Sequence, residues 1–263
     1  MSNFFNADRF SRLFIKHSQE HYKSYLMSAA VLIGVMVMGG TFLIYLINTS
    51  LDPMFQMLLY VWMLLLGGTI FTSTIFAEYG NSKKVIAKLS LPASHFEKYL
   101  VAWLYSFIIV FLVITVSFYL VMLFLLYTKH FSQRQPEIFD LMQRPPGLQF
   151  PLLFLVFALY AFMHSFAFYG AIYFKKLHFI KTAFLFFVVL AISMYGNKFL
   201  MDLMLHKDTR PALLLTNVGF WENGHIVIIN LYGNKEVYAL GLYLVVALLF
   251  WIAAYYRLKE KQA

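Results

Sequence analysis

The chain has 263 residues, of which 61% are hydrophobic and 13% charged, and its mean hydropathy is +0.70. A water-soluble fold of that composition would expose more apolar surface than one core can hide, so the lipid bilayer is its solvent. The net charge of +9 does not require a nucleic-acid partner, because basic residues flanking apolar spans are what membrane topology demands, and the lack of Cys excludes disulfides and thiolate metal sites.

The first 23 residues are polar and basic ahead of any apolar run, so no cleavable signal peptide is expected. Within 7–22, Arg9, Arg12, Lys16 and Glu20 recur at spacings of three and four, with Lys23 continuing the series, while Phe10, Leu13 and Phe14 occupy another face. This predicts an amphipathic helix lying in the cytoplasmic interface, its apolar face toward the acyl boundary; a solvated helical tail is the alternative. Six apolar runs follow, at 25–47, 54–77, 99–127, 150–174, 183–205 and 237–256, each long enough to span. The expected architecture is therefore an all-α integral membrane protein, one transmembrane domain over 1–263 with six spans. The polar stretch 48–53, with Asp52 and Pro53, allows only a tight turn between the first two spans. The third run is the longest, so it tilts or projects beyond the hydrocarbon.

Orientation follows from the basic residues. Arg9, Arg12, Lys16, Lys23, Lys83, Lys84, Lys88, Lys98, Lys175, Lys176, Lys181, Arg257, Lys259 and Lys261, fourteen of the 21 Lys and Arg, fall on one side of such a layout. The positive-inside rule then puts both termini in the cytoplasm. Two long loops fall on the other side. The first, 128–149, holds Pro136 and Pro145-Pro146-Gly147, and the second, 206–236, holds Asn223-Gly224 beside the β-branched run Ile226-Val227-Ile228-Ile229, which predicts a small extracytoplasmic β-hairpin before the last span.

Between the second and third spans, Gly80-Asn81 and Pro92 bracket a short basic segment with Val85, Ile86 and Leu89 on one side, long enough for about two helical turns. Ser94 and Glu97 then form a capping box that starts the third span. Glu78, Gly80, Leu89, Pro92, Ser94, Glu97 and Lys98 stand in the order seen in permeases of ABC-2 type exporters, and the six-span layout, the N-terminal helix and the long loop before the last span are similar as well. The chain resembles that family over nearly its whole length, although Tyr79-Gly80-Asn81-Ser82-Lys83 stands where many members carry Arg-Gly-Thr.

The resemblance implies the membrane-spanning permease subunit of a bacterial ATP-binding-cassette transporter in the cytoplasmic (inner) membrane. Residues 82–92 would be the coupling helix, with Glu78, Gly80, Lys84, Val85, Ile86, Leu89 and Pro92 serving contact with a separate ABC ATPase subunit. The N-terminal helix would lie beside it as the connecting helix. A second permease subunit, identical or not, would complete the assembly, and ATP would be bound by the partner subunit, leaving this chain without a cofactor of its own.

No G-x-x-x-x-G-K-[ST], H-E-x-x-H or G-x-S-x-G occurs, so no catalytic residue and no metal site is assigned and the chain is not read as an enzyme. Among polar residues in the spans, Thr69, Thr72, Ser73 and His164 are candidates for a substrate path. In the alternative reading the hydroxyl patch of Thr69, Thr72, Ser73 and Thr74 only bonds across helices, and His164 is a neutral imidazole bonded to a neighbouring helix. Lys198 and Asp202, one turn apart, read as an ion pair. Gly39-Gly40 and Gly67-Gly68 read as points of close helix approach. With aromatics at 19% and few embedded charges, ion-coupled transport is disfavoured and an apolar or amphipathic substrate is expected. The alternatives are a non-transporting six-helix membrane scaffold or assembly protein and, less favoured, a membrane enzyme using His164, His178 or Glu78.

Overall fold

The computed structural model describes residues 5–46, 51–75, 93–128, 137–144, 150–174, 177–212, 218–222, 225–229 and 235–262. Six helices in it are long and apolar enough to cross a membrane. They are α1 (Ala7–Tyr45), α2 (Pro53–Ile75), α3 (His95–Thr128), α4 (Leu152–Tyr173), α5 (His178–Leu205) and α6 (Lys235–Gln262). Two short strands, β1 (Val218–Glu222) and β2 (His225–Ile229), pair antiparallel between α5 and α6. Their register sets Val218 opposite Ile229 and Glu222 opposite His225.

The expected interfacial helix at 7–22 and the first span at 25–47 are a single helix, which corrects the sequence reading. Nothing between Tyr22 and Tyr25 breaks it: neither Pro nor Gly occurs there, and Lys23 and Ser24 are compatible with helix. Its 39 residues at about 1.5 Å each make it roughly 58 Å long, about twice the ~30 Å hydrocarbon thickness. The surplus lies at the basic N-terminal end. Phe10, Leu13 and Phe14 do not form a lipid-directed face, because they pack against a buried cluster that includes Tyr99, Tyr105, Phe168 and Leu258. Phe14 and Tyr105 ring centroids are 4.9 Å apart.

Around this, α4 is the central helix: it packs against α2, α5 and α6, while α3 bridges α1 and α2. Lipid is as apolar as a protein core, so close packing rather than water exclusion holds such helices together. Glycines permit it at three crossings. A Cβ on Gly40 of α1 would stand 2.3 Å from Leu125 of α3, one on Gly68 of α2 would stand 2.5 Å from the Tyr160 ring of α4, and one on Gly170 of α4 would stand 2.8 Å from the Cβ of Thr182 of α5. Helix α5 is the least embedded; among its described side chains only Thr182 and Asn197 are buried, and Phe184, Phe187, Ile192 and Phe199 are exposed.

Candidate functional site

Among the described residues, buried polar groups gather in two centres, on Glu97 and on His164, and two of the hydroxyl candidates line a crevice. The first centre gathers on Glu97, in the first turn of α3. Ser94 caps that helix: its hydroxyl accepts the Glu97 N–H, and Glu97 Oε2 accepts the Ser94 N–H at 2.9 Å, the reciprocal capping box. The other carboxylate oxygen, Oε1, accepts the Asn6 N–H at 2.8 Å and the Arg9 guanidinium at 3.1 Å. Asn6 is itself the N-cap of α1, its side chain accepting the Asp8 and Arg9 N–H groups. One fully buried carboxylate thus joins the N-terminal ends of α1 and α3, where the helix dipoles favour negative charge. The capping box was legible from local spacing. The partners Asn6 and Arg9 were not, since they stand 91 and 88 residues away.

The second centre surrounds His164, which is fully buried in the middle of α4. Trp251 of α6 donates its indole N–H to Nδ1 at 3.1 Å, and Nε2 lies 2.9 Å from Ser106 Oγ on α3. An indole nitrogen only donates, so Nδ1 is the acceptor, the proton sits on Nε2, and the imidazole is neutral. The Ser106 hydroxyl in turn donates to the Ala102 carbonyl at 2.8 Å, which leaves both imidazole nitrogens and the serine hydroxyl satisfied. Ser106 belongs to a π-helical stretch, Leu104–Ile109, where the widened turn displaces carbonyls from their usual partners. The Tyr160 hydroxyl donates to the Ser106 carbonyl at 2.9 Å and reaches the Phe107 carbonyl at 3.3 Å. Gly68 makes room for the Tyr160 ring, so α2, α3, α4 and α6 meet through this one network. Sequence reasoning singled out His164 but not Ser106, Tyr160 or Trp251. Their signal was a polar atom in an apolar run, which nothing in the sequence aims at a partner.

The crevice has a volume of about 110 Å³ and lies between α2, α4 and α5. Its lining includes Leu66, Thr69, Ser73, Met163, Phe166 and Phe187. Leu66 and Phe187 are 50% and 65% exposed, so it opens on the lipid-facing surface rather than into a closed core. Thr69 and Ser73 turn their hydroxyls back to the Leu65 and Thr69 carbonyls, at 2.7 and 2.9 Å, and leave an apolar lining. Thr72 bonds likewise to the Gly68 carbonyl at 2.6 Å and is absent from the lining, as is His164. Of the four candidate path residues, Thr69 and Ser73 therefore share one crevice, while Thr72 and His164 lie apart from it.

The expected ATPase-coupling residues Glu78, Gly80, Lys84, Val85, Ile86, Leu89 and Pro92 lie outside the described residues. Lys198 and Asp202 form the ion pair read from their spacing, at 2.7 Å, and Lys198 also pairs with Asp208. Asp202 accepts the Thr209 N–H and hydroxyl at 2.6 and 2.7 Å, so the pair fastens the stretch after α5 to the end of that helix. Gln56, another buried side chain that sequence reasoning passed over, donates to the Leu51 and Glu137 carbonyls and accepts the Phe139 N–H, which pins segment 137–144 to α2. No group of three or more His, Asp or Glu side chains among the described residues is arranged to hold a metal ion. Comparison with protein-family models, with curated proteins and with solved structures finds no match to this chain.

Proposed function

We propose that this chain is the membrane-spanning permease subunit of an ATP-binding-cassette transporter. In this reading it pairs with a second permease subunit and moves an apolar or amphipathic substrate across the bacterial cytoplasmic membrane, driven by ATP hydrolysed on a separate subunit. The observation that carries the reading is the Glu97 centre. Segment 82–92 ends two residues before Ser94, and at that point Glu97 bonds the start of α3 to the start of α1. A force applied to the segment by a docked subunit would act on α2 at one end and on α1 and α3 together at the other. The apolar, laterally open crevice suits the expected substrate class.

The docking contact should depend on central apolar anchors more than on rim lysines. Ile86→Asp is expected to abolish co-purification with the ATPase subunit in mild detergent while membrane insertion is unchanged, and Lys84→Ala to weaken it only slightly. Normal ATPase recovery with Ile86→Asp would overturn the reading and favour the non-transporting scaffold.

The orientation proposed with this function keeps both termini in the cytoplasm, supported by the asymmetry of Lys and Arg. Reporter fusions after residues 50, 140 and 220 should report the outer side, and fusions after 90, 178 and 263 the inner side. Two successive positions reporting the same side would remove a crossing.

A further inference from the structure

The β1–β2 hairpin presents a surface unlike that of a solvated loop. Ile226, Val227 and Ile228 are 44%, 37% and 57% exposed, and Trp221 on β1 is 59% exposed. Alternate strand residues point to opposite faces, so Ile226 and Ile228 lie on one side of β2 and Val227 on the other. A strand washed by water on either face would carry mainly polar residues there; on β2 each face carries exposed apolar side chains, and the polar His225 stands at the turn end, opposite Glu222. Among the described residues β2 pairs only with β1, so its outer edge keeps backbone groups that need polar partners.

The hairpin is also held close to two ends of membrane-spanning helices. Thr209, four residues past the end of α5, bridges Phe220; the Arg210 N–H donates to the Gly219 carbonyl at 2.8 Å; and Lys207 pairs with Glu222 at 2.6 Å. On the far side, five residues separate Ile229 from Lys235, the first residue of α6. That connection spans roughly 20 Å at most. Lys207 lies 4.4 Å from the Phe220 ring centroid, and the Arg210 guanidinium 5.1 Å from that of Trp221. Cations beside Trp, at the end of a span, are the composition of the membrane–water interface.

We propose that the hairpin is an interfacial membrane anchor, with Trp221, Ile226, Val227 and Ile228 set among the glycerol esters and first acyl methylenes just below the phospholipid headgroups and Lys207 and Arg210 level with the phosphates. At that depth the apolar side chains are covered while glycerol-ester and headgroup oxygens and interfacial water remain within reach of the open backbone edge of β2, an edge the hydrocarbon centre would not tolerate. Strand addition by a second copy would satisfy the edge but leave the apolar faces wet. The inference rests on the membrane-spanning helices and is independent of transport.

Because the chain has no Cys, a single cysteine reports one site. Ile228→Cys and Val227→Cys, each carrying an environment-sensitive fluorophore, sample the two faces of β2 in the full chain reconstituted in phosphatidylcholine–phosphatidylglycerol vesicles. Both labels should emit blue-shifted light and be quenched several-fold more strongly by nitroxide lipids bearing the spin label near the headgroup than by aqueous iodide. Iodide quenching as strong as in free dye at both positions would overturn the proposal. So would shielding of both labels from both quenchers, which would indicate a second copy over the strand. If one substitution prevents folding, the other decides.

Discussion

Glu97→Gln is expected to destabilise the protein by about 3 kcal/mol, the loss typical of disturbing a buried, multiply bonded charge. The carboxylate is fully buried, and its two oxygens accept three hydrogen bonds that span two helix starts, the guanidinium among the donors. Glutamine keeps the volume but supplies one acceptor oxygen. Its amide N–H₂ must then face either the Ser94 N–H or the Asn6 N–H and the Arg9 guanidinium, donor against donor. Ser94→Ala, which removes only the hydroxyl of the capping box, should cost about 1 kcal/mol. Thermal unfolding in detergent orders the two variants, and a glutamine variant melting with the unaltered chain would show that the carboxylate charge does not hold α1 to α3. The same measurement on Arg9→Met separates the guanidinium from the backbone donors. A milder loss than that of Glu97→Gln is expected, since Asn6 and Ser94 still satisfy the carboxylate.

The His164 network supplies the second large effect. His164→Ala removes a buried ring from the contact of α3, α4 and α6 and orphans the Trp251 indole N–H, so a loss of about 3–5 kcal/mol is expected. His164→Gln keeps one donor and one acceptor on a side chain of comparable reach. It should stay within about 1.5 kcal/mol of the unaltered chain, the range of a volume-conserving exchange. The pair of variants distinguishes packing from chemistry. A histidine that only joins helices tolerates glutamine in any assay of the assembled protein, whereas one that relays protons does not, because an amide neither takes up nor releases a proton near neutral pH. Loss of activity in a glutamine variant with normal melting would therefore assign His164 a chemical role that its saturated hydrogen bonds argue against.

What could be read in the residues alone was whatever depends on neighbours in the chain or on the bilayer as solvent. Runs of about 20 apolar residues are the length that crosses hydrocarbon, and each of the six predicted runs coincides over most of its length with a helix long and apolar enough to do so. The capping box of Ser94 and Glu97 and the pair of Lys198 and Asp202 are contacts of three and four residues along one helix, and local geometry brings them together in any fold.

The tertiary structure decided what meets what across the bundle. In water a helix shows its packing side by apolar contrast, but in a bilayer the lipid-facing and protein-facing sides are alike apolar, and the contrast disappears. Nothing in 152–173 therefore announced that α4 is central, that Gly68 accommodates Tyr160, or that Ser106 and Trp251 converge on His164 from α3 and α6. The aromatic face at Phe10, Leu13 and Phe14 misled for the same reason: an apolar stripe beside a membrane reads equally as lipid contact or helix contact, and here it packs on a buried cluster, with Phe14 against Tyr105 of α3. Glu97 illustrates both halves, because its bond to Ser94 follows from three residues of spacing, while its bonds to Asn6 and Arg9 required the fold to bring two helix starts to one carboxylate.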